Sequence, residues 1–380
     1  MPENIPSHIK LLVVSDTGMF QKNGSTYAFG PVVKELGELN FFNNIVWIGF
    51  NKKQLAGNKS FLEIKDERIH TIGLRNTGGK TVVSKLFIIL NYPVYFLRIF
   101  REIFKSKYIH VRAPSNPAVA AMLISYFFPK KQFWFKYAGD WQGNAPFFYN
   151  IQRKWLKNLG KNSKVTVNGA WINQPKNILS FENPCLDSLD RLKGKSFIDS
   201  KNIKDKIDYC FVGGLNKNKG CMLLLEALKN MNLPANFGSL HIVGDGHLKQ
   251  ELELLAKKLS IKVLFYGSLP KQKVVSIYEK CHFLVLPSKS EGFPKVLGEA
   301  MNFGCIPIVS NISCINQYVQ DEKNGILINA ISISGIVNSI HKSFEFTEDD
   351  FTNITKYNYK IAERFTYQNY NNRVFSEIYS

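Results

Sequence analysis

The 380-residue sequence has few cysteines and lacks several motifs that would assign it to a common protein class. Its six cysteines form no C-x-x-C pair and no His-Cys cluster at zinc spacing, which predicts buried, reduced thiols in a cytosolic protein. No G-x-x-x-x-G-K-S/T loop is present, which excludes the P-loop class of nucleotide site. No Asp-x-Asp pair is present either, so the sequence gives no argument for an obligatory metal ion.

Long hydrophobic segments are also scarce. The apolar run from Ile9 to Val14 is too short for a signal peptide and is typical of a strand. The longest run, Leu86 to Phe100, is interrupted by Asn91, Pro93 and Arg98, and it therefore falls short of a membrane-spanning helix. We expect a chain with neither a leader sequence nor a transmembrane segment.

Acidic residues are few in the first half of the chain. Residues 1–181 hold 25 Lys and Arg against 9 Asp and Glu, whereas the remainder holds 24 against 21. The net charge of +19 is thus concentrated in the first half, which predicts an anionic partner there. Nucleic acid and anionic lipid headgroups are the two candidates.

Short apolar runs recur along the chain, each followed by a glycine-containing loop and a helical pattern. In the first half they are Leu11–Val14, Ile45–Phe50, Tyr108–Val111, Phe133–Tyr137 and Val165–Val167; in the second half they are Tyr209–Val212, Leu240–Val243, Val263–Tyr266, Phe283–Leu286, Ile306–Val309 and Ile326–Ile328. Strands that alternate with helices predict parallel sheets covered on both faces. Two such sets predict an α/β protein of two doubly wound, Rossmann-like domains, with ligands beyond the carboxyl ends of the strands.

The two sets of runs also suggest where the domains begin and end. Residues 184–207 are polar, charged and contain glycine and serine, which favours a linker. We therefore predict a first domain over 1–183, a linker over 184–207 and a second domain over 208–357. The closing segment, about 358–380, has apolar residues at helical spacing and is expected to join the first domain as a final helix.

Two carboxylates, Glu291 and Glu299, flank the start of a predicted helix. Glu291 falls in the loop after a strand-like run, beside Gly292 and Pro294, and Glu299 lies about one turn inside the helix. Because the first N–H groups of a helix lack internal partners and carry partial positive charge, they suit a phosphate, and the carboxylates would accept hydrogen bonds from sugar hydroxyls. In the alternative interpretation, Glu291 is a solvated turn residue and Glu299 only favours the helix dipole.

Three further glycine turns follow strands in the second half. The segment Phe211–Gly220 contains Gly214, Lys217 and Lys219 and precedes a helix, so it suits a diphosphate, whose departing charge Lys219 could neutralise. The other two turns contain Gly244, and Ser268 with Leu269. Any one of these can be an ordinary turn, but four loops on one sheet edge, including that of Glu291, favour a binding site.

Candidate residues in the first half are fewer. Gly18, and Gly24 before a predicted helix near Tyr27, could let the backbone approach a phosphate or could belong to a connecting loop. Asp140, at the end of a buried strand, could orient a sugar hydroxyl or an acceptor, or could cap the next segment. Arg112 could bind an anionic group or form a surface ion pair.

Residues 80–107 alternate basic with aromatic side chains. The basic residues are Lys80, Lys85, Arg98, Arg101, Lys105 and Lys107, and the aromatic ones are Phe87, Tyr92, Tyr95, Phe96, Phe100 and Phe104. An interfacial membrane helix and an amphipathic core helix both produce this pattern. A nucleic-acid interface is not favoured, because no binding motif is recognisable and the aromatic residues follow a helical spacing.

Several stretches of the second half resemble the nucleotide-sugar domain of the family 4 glycosyltransferases, retaining enzymes of GT-B fold. They are FVGGLNKNKGCMLLLEAL, HIVGDG, VLFYGSLPKQKVVSIYEKCHFLVLPSKSEGFPKVLGEAMNFGCIPIVS and NGILI, from about residue 209 to 329. The first half resembles the family only through the glycine loop near Gly24 and the strand-helix rhythm. The resemblance implies two Rossmann-like domains that face a central cleft, and a donor bound with no obligatory metal and no cofactor.

The resemblance also assigns roles to particular residues. Glu299 would hold the donor ribose, Glu291 the hydroxyls of the transferred sugar, and Lys219 the diphosphate, which Phe293–Val296 would approach with backbone N–H groups. The donor-binding residues predicted in this way and from the turns are Gly18, Gly24, Gly214, Lys217, Lys219, Gly244, Ser268, Leu269, Glu291, Gly292, Phe293, Pro294, Lys295, Val296 and Glu299. The predicted catalytic residues are Lys219, Glu291 and Asp140, and the predicted acceptor-binding residues are Asp140 and Arg112.

Two departures from the family pattern bear on these roles. Gly214 stands where the family usually has arginine, so one phosphate contact is missing or is supplied elsewhere, for example by Lys217. The His-Asp pair of the family's acceptor domain is not evident, and Ala138-Gly139-Asp140 lies in that region.

Together these features predict a retaining glycosyltransferase of the hexosyltransferase type. It would move a sugar from a UDP- or GDP-linked donor to a glycan or lipid-linked acceptor in cell-surface polysaccharide or lipopolysaccharide synthesis. The basic first half predicts a cytoplasmic protein that is peripheral at the anionic inner face of the membrane, with no nucleic-acid partner. The alternatives are a catalytically silent binding subunit and a GT-B sugar-nucleotide epimerase.

Overall fold

The computed structural model describes residues 9–52, 61–77, 81–143, 145–160 and 162–379. Lys80, one of the basic residues noted above, lies outside these ranges. The chain divides into two compact units, each built on its own sheet. Unit 1 comprises Met1–Phe181 with Asn371–Ser380, and unit 2 comprises Glu182–Tyr370.

Unit 1 is an α/β unit whose sheet is mostly parallel. Its strands are β1 (Lys10–Lys22), β2 (Ser25–Phe29), β3 (Asn44–Asn51), β4 (Phe61–Glu63), β5 (Ile69–Arg75), β6 (Tyr108–Ala113), β7 (Gln132–Tyr137), β8 (Ser163–Val167) and β9 (Ile178–Ser180). Its helices are α1 (Gly30–Gly37), α2 (Val82–Phe104), α3 (Asn116–Ser125) and α4 (Phe147–Lys157). The parallel strands lie in the order β5-β3-β1-β6-β7-β8-β9. Leu11 to Val14 are fully buried at every position, which requires cover on both faces of the sheet.

The segment that follows the first apolar run differs from the prediction. Strand β1 continues to Lys22 and turns back into β2 through Asn23 and Gly24, whose φ angles of 50° and 80° suit a two-residue hairpin turn. The helix predicted near Tyr27 is wrong, because Tyr27 lies in β2 and the first helix begins at Gly30. The Asn-Gly pair therefore acts as a hairpin signal rather than as the start of a strand-to-helix loop.

Unit 2 is an α/β unit with a fully parallel six-stranded sheet. Its strands are β10 (Ile207–Val212), β11 (Phe237–Val243), β12 (Lys262–Gly267), β13 (Phe283–Leu286), β14 (Ile306–Ser310) and β15 (Ile326–Ile328). Its helices are α5 (Ser188–Ser200), α6 (Cys221–Lys229), α7 (Lys249–Ala256), α8 (Lys271–Lys280), α9 (Lys295–Asn302), α10 (Ile333–Lys342) and α11 (Glu348–Ala362). The strand order β12-β11-β10-β13-β14-β15 is that of a doubly wound sheet, so the predicted fold class is confirmed.

The predicted linker and the predicted final helix both differ from the structure. Residues 184–207 contain helix α5, whose Asp187 and Asp190 side chains each accept a hydrogen bond from the other's backbone N–H, at 2.8 and 3.0 Å. The charged composition of this segment belongs to the exposed face of a helix of unit 2 rather than to a linker. Helix α12 (Tyr367–Arg373) runs into a π-helix (Val374–Ile378), and the part that joins unit 1 starts only at Asn371.

Candidate functional site

The four loops singled out in the second half lie along one edge of the unit 2 sheet. They follow β10, β11, β12 and β13, which are neighbours and run parallel. Parallel neighbours end at the same edge of a sheet, which is where doubly wound folds bind their ligands. The site is therefore built from the carboxyl ends of these four strands.

The loops after β10, β11 and β12 are bonded to one another through their backbones. Gly213 N–H donates to Val243 O at 3.0 Å, and Gly244 N–H donates to Gly267 O at 2.9 Å. Gly244 has a φ of 144°, and a Cβ there would lie 1.8 Å from Gly213 O, so this position requires glycine. Gly244 thus permits the close approach of two loops, a packing role that is independent of any ligand.

Lys219 and Glu291 form an ion pair at this edge, across 72 residues of sequence. Lys219 Nζ lies 2.5 Å from Glu291 Oε1, and the two side chains are 27% and 10% exposed. The loops that carry them are also tied together: Asn218 Nδ2 donates to Ser290 O at 2.8 Å, and Lys289 N–H donates to Asn218 O at 2.7 Å. The cation is thereby held in place beside the loop that leads into helix α9.

Gly220, which precedes helix α6, fixes the direction of the Lys219 loop. Its φ is 76°, and a Cβ would lie 2.1 Å from Pro287 O. We expect Gly220→Ala to lower the free energy of unfolding by about 3 kcal/mol, since it adds a backbone clash to left-handed strain. Urea denaturation followed by circular dichroism measures this change.

Gly24→Ala is the matched control for the strain alone. Gly24 has a φ of 80°, yet a Cβ there meets no atom within 4 Å. We expect this variant to lose only about 1 kcal/mol. Equal losses for the Gly24 and Gly220 variants would show that the contact with Pro287 is not tight.

The loop after β13 leads Gly292, Phe293 and Pro294 into helix α9, which starts at Lys295. The helix has no side-chain cap, so its first-turn N–H groups are not claimed by a capping residue. Phe293 is 7% exposed and stacks on Phe365 at 5.0 Å, and Val296 is partly exposed. The Phe293 side chain therefore belongs to the core. Only the backbone N–H groups of this loop are then suited to contact a phosphate.

Glu299 lies one turn inside α9 and is bonded to a tyrosine of helix α8. Tyr278 donates its hydroxyl proton to Glu299 Oε2 at 3.2 Å. Burial raises the pKa of the Glu299 carboxyl above its ordinary value, against the opposing effects of the nearby Lys271 charge and the Tyr278 hydrogen bond. The carboxyl group is thus fixed by its neighbours and is easier to protonate than an exposed glutamate.

Sequence reasoning missed three polar residues on the elements that carry the site. Tyr278 holds Glu299, and Lys271 forms an ion pair with Asp190 while donating to Cys185 O at 2.6 Å. Ser288, just after β13, is 1% exposed, and its hydroxyl has no hydrogen-bond partner among the described residues. No spacing rule links Tyr278 or Lys271 to Glu299, because both lie on helix α8 and come near α9 only through tertiary packing.

The remaining predicted donor residues of unit 2 lie in the same loops. Gly214 is partly exposed, and a Cβ there would meet only the Asn216 side-chain nitrogen, at 3.1 Å. Lys217 is exposed, and Ser268 and Leu269 follow β12 and are partly exposed. The structure therefore leaves room for a side chain at Gly214.

Gly18 and Gly24 lie in unit 1, and neither is in a strand-to-helix loop. Gly18 lies inside β1, next to a shift in its register with β3, and the aliphatic part of Lys52 packs on it, 2.4 Å from where a Cβ would be. Gly24 is at the hairpin turn. The glycine loop that the sequence suggested is thus a continuous strand and a hairpin.

Asp140 and Arg112, the predicted acceptor residues, also lie in unit 1. Asp140 Oδ1 accepts from Gln142 N–H at 3.2 Å and from Gly143 N–H at 3.0 Å, the arrangement of a side chain that caps a turn. Arg112 Nη1 donates to Glu35 Oε1 at 2.8 Å, and Lys136 Nζ donates to the same atom at 2.8 Å. The Glu35 side chain is 2% exposed, so the Arg112 ion pair is buried rather than on the surface.

In the part of the chain that the structure describes, no group of three or more His, Cys, Asp or Glu side chains is arranged to hold a metal ion.

A family model and several known proteins match parts of this chain. Residues 194–360 match the family model for glycosyl transferases group 1. The Campylobacter jejuni GalNAc-alpha-(1->4)-GalNAc-alpha-(1->3)-diNAcBac-PP-undecaprenol alpha-1,4-N-acetyl-D-galactosaminyltransferase is 34% identical over 176 residues, which are 46% of this chain and 45% of that protein. An Escherichia coli UDP-Gal:alpha-D-GlcNAc-diphosphoundecaprenol alpha-1,3-galactosyltransferase is 29% identical over 187 residues, 45% of this chain and 46% of that protein. The chain thus matches less than half the length of either relative.

A solved structure matches almost the whole chain. It is a glycosyltransferase from Rickettsia africae, with 15% identity and a TM-score of 0.68, covering 99% of this chain and 100% of that one. At this identity the likeness shows the fold, which is GT-B as the sequence resemblance implies. The family model spans the loops of Lys219, Glu291 and Glu299. Residues 194–360 of this chain thus match the glycosyl transferases group 1, and the chain has the GT-B fold.

Proposed function

We propose that this protein is a retaining glycosyltransferase of the hexosyltransferase type. It transfers a sugar from a UDP- or GDP-linked donor to a glycan or lipid-linked acceptor, in cell-surface polysaccharide or lipopolysaccharide synthesis. The observation that carries the proposal is the Lys219–Glu291 ion pair, 2.5 Å long, beside the uncapped first turn of α9 and one helical turn from Glu299. Two carboxylates and one cation beside a helix N-terminus that lacks a side-chain cap match the hydroxyls and the diphosphate of a nucleotide sugar.

Leaving-group stabilisation is the main contribution of these residues to the reaction. The bond between the sugar C1 and the diphosphate oxygen breaks, and negative charge develops on that oxygen. Lys219 and the first N–H groups of α9 stabilise this charge in a partly buried site, where such interactions are stronger than in water. The acceptor hydroxyl attacks C1 from the face that the diphosphate leaves and gives its proton to the departing phosphate oxygen, so no covalent nucleophile is needed.

The two glutamates have different tasks in this proposal. Glu291 uses Oε1 to hold Lys219, and its second oxygen accepts a hydrogen bond from a hydroxyl of the transferred sugar. Glu299, held by Tyr278, accepts hydrogen bonds from the ribose hydroxyls of the donor. Two carboxylates on one loop and helix thereby fix both ends of the diphosphate, which brings the scissile bond to Lys219.

Unit 1 is proposed to bind the acceptor. Residues 1–181 carry an excess of basic over acidic residues, and this charge suits a lipid diphosphate at the anionic inner face of a membrane. The names of the Campylobacter and E. coli relatives describe acceptors linked to undecaprenol through a diphosphate. We propose that Asp140 helps to orient the acceptor through the turn that it caps. Arg153 holds this turn by donating to Trp141 O at 2.7 Å. We further propose that the reaction needs no obligatory metal ion.

A transfer assay tests the proposal. The protein is incubated separately with radiolabelled UDP-glucose, UDP-galactose, their N-acetylamino forms and GDP-mannose, together with a polyprenyl-diphosphate-linked glycan extract. We expect one donor to label the lipid phase, with the anomeric configuration of the donor kept in the product. Donor binding without transfer would favour a silent binding subunit, and rearrangement of the donor without acceptor would favour an epimerase.

Gly214 offers a test of the diphosphate position. Because the space around it is limited only by the flexible Asn216 side chain, Gly214→Arg is expected to fold normally and to add a charged hydrogen bond to the diphosphate. We expect the donor Kd to fall about tenfold. Isothermal titration with the donor measures it, and Gly160→Arg, at an exposed glycine of unit 1 with no atom within 4 Å of a Cβ, is the control. Equal affinity in the wild type and Gly214→Arg would place the diphosphate elsewhere.

A further inference from the structure

Helix α2 exposes a continuous apolar stripe on the side away from the core of unit 1. Seven residues with 46% to 66% of their surface exposed form the stripe: Val83, Leu86, Phe87, Ile89, Leu90, Val94 and Leu97. Apart from Ile89 at its flank, these positions recur every three or four residues, so they lie on one side of the helix. From Val83 to Leu97 the stripe is about 21 Å long. Isolated exposed apolar residues are normal, but a contiguous stripe of this length marks an interaction surface.

The opposite side of α2 packs into the core of unit 1. Tyr95, Ile99 and Ile103 are fully buried, and the Tyr95 hydroxyl is hydrogen-bonded to Thr77 Oγ1 and Arg75 O, each at 2.5 Å. Contrary to the expectation from the interrupted apolar run, the segment Val83–Phe104 is long and apolar enough to cross a membrane by length and composition, and most of it is not buried. Because one side is packed on the sheet, we expect the helix to lie along a surface rather than to cross a bilayer.

Basic side chains are concentrated at the carboxyl-terminal end of the same helix. Exposed basic residues there are Arg98, Arg101, Lys105, Lys107 and the nearby Lys130. The acidic residue of the region, Glu102, is ion-paired with Lys10 at 3.6 Å and with Lys105 at 3.7 Å. The apolar stripe is therefore followed by a patch of net positive charge, which is complementary to anionic lipid headgroups.

Aromatic residues extend the stripe at the cationic end. Phe104 is 67% exposed and Phe127 is 69% exposed. The ring of Phe128 lies 5.4 Å from that of Phe100 and 6.3 Å from that of Phe104, so the end of α3 is packed beside the end of α2. Exposed phenylalanine side chains next to lysine and arginine are typical of helices that lie in a membrane interface.

We propose that the outward face of α2, with Phe104 and Phe127, is a membrane-docking surface that inserts into an anionic leaflet. The stripe from Val83 to Leu97 enters the acyl boundary, and the cations from Arg98 onward contact the headgroups. The inference deepens the proposed function, on which it rests for the lipid-linked acceptor. It specifies which helix brings the protein to the lipid surface and which end of that helix is deeper.

Vesicle flotation tests the docking surface. The full chain is mixed with vesicles of phosphatidylcholine, either alone or with about 30% phosphatidylglycerol. We expect the wild type to float with the anionic vesicles, and the double variant Leu90→Glu, Leu97→Glu to partition at least about tenfold less, since two inserted side chains become charged. Both positions are 66% exposed, so the variant is expected to remain folded.

Leu254→Glu is the matched control, because Leu254 is 61% exposed on α7 in unit 2. It should float like the wild type. Equal flotation of the double variant, or of the wild type on neutral vesicles, would overturn the proposal. Extraction in alkaline carbonate should release the bound protein, whereas resistance would mean that α2 crosses the bilayer.

Analytical ultracentrifugation without lipid tests whether a second copy of the chain covers the stripe in solution. We expect the wild type and the double variant to have the same mass. A dimer that the double variant abolishes would mean that a second copy covers the stripe, which would also overturn the proposal. Donor binding, measured without vesicles, should be equal in both proteins, so a failed donor site is distinguished from a failed docking surface.

Discussion

Replacing Lys219 by alanine is expected to lower kcat by about 10²- to 10³-fold, with a smaller change in KM. The Lys219 ammonium group, 2.5 Å from Glu291 Oε1, is the cation that this account places at the departing diphosphate. Removing it takes away an interaction that strengthens as charge develops, so the loss should fall mainly on the chemical step. Steady-state kinetics with the donor identified by the transfer assay measures both constants.

Lys229→Ala is the control for the loss of one positive charge. Lys229 is exposed in the last turn of α6, the helix that Lys219 precedes. It should keep wild-type kinetics, and circular dichroism should show both variants folded. Wild-type kcat in a folded Lys219→Ala protein would remove Lys219 from the catalytic role.

Replacing Glu299 by glutamine is expected to weaken donor binding by about 10- to 100-fold without destabilising the protein. Glutamine keeps an oxygen that accepts from the Tyr278 hydroxyl, but it lacks the charge that favours the ribose hydroxyls. Isothermal titration with the intact nucleotide sugar measures the affinity. Glu279→Gln, at an exposed position next to Tyr278 on α8, should bind the donor normally.

The pH dependence of the same pair of proteins gives an independent check. Burial raises the pKa of the Glu299 carboxyl, so its native form binds a proton more tightly than the unfolded chain does. The stability that protonation supplies is present at low pH and is lost as the pH rises through the raised pKa. The melting temperature of Glu299→Gln relative to the wild type should therefore increase from pH 5 to pH 8.

Donor binding should change with pH in the opposite sense. As the pH falls through the raised pKa, Glu299 becomes protonated and accepts hydrogen bonds less well, so wild-type affinity falls while that of Glu299→Gln stays flat. An intact nucleotide sugar is the right ligand, because it lacks the terminal phosphate ionisation near pH 6. Parallel pH profiles for the two proteins would show that Glu299 does not contact the donor.

Most of the strands were predictable because they are apolar and mostly buried on both faces, whereas β2, β4, β5 and β9 were not among the predicted runs. Runs such as Tyr209–Val212 and Leu11–Val14 are apolar at every position, which parallel strands require and exposed helices do not show. The start of α9 at Lys295 was predictable to within one residue, since the helical pattern in the sequence begins at Val296, after Pro294 and a glycine loop. These signals depend on residues that are neighbours in the chain, so a single sequence is enough to recognise them.

Two local predictions failed because a competing local signal was stronger. The polar composition of residues 184–207 suggested a linker, yet Asp187 and Asp190 form a capping box that starts helix α5. Asn23 and Gly24 suggested a phosphate-binding or connecting loop before a helix near Tyr27, yet the same pair makes a hairpin turn between two strands. In both places the polar and glycine residues are compatible with two local structures, and the structure contains the one that was not predicted.

The contacts that complete the candidate site could not be predicted from the sequence. Lys219 and Glu291 are 72 residues apart, and their ion pair exists because β10 and β13 are neighbours in the sheet. Tyr278 reaches Glu299 from a different helix, and its spacing from Glu299 has no helical or strand period. A pattern along the chain locates such residues on their elements, but only the packing of the elements brings them together.

Thermal melting against UDP, GDP and their sugars is the measurement that tests the central claim most directly, since a ligand that binds only the native state raises the melting temperature. We expect a rise with one nucleotide series at millimolar concentration, and a smaller rise for Glu299→Gln at the same concentration. No rise with any nucleotide, or an equal rise for Glu299→Gln, would contradict a nucleotide-sugar site at the carboxyl edge of the unit 2 sheet.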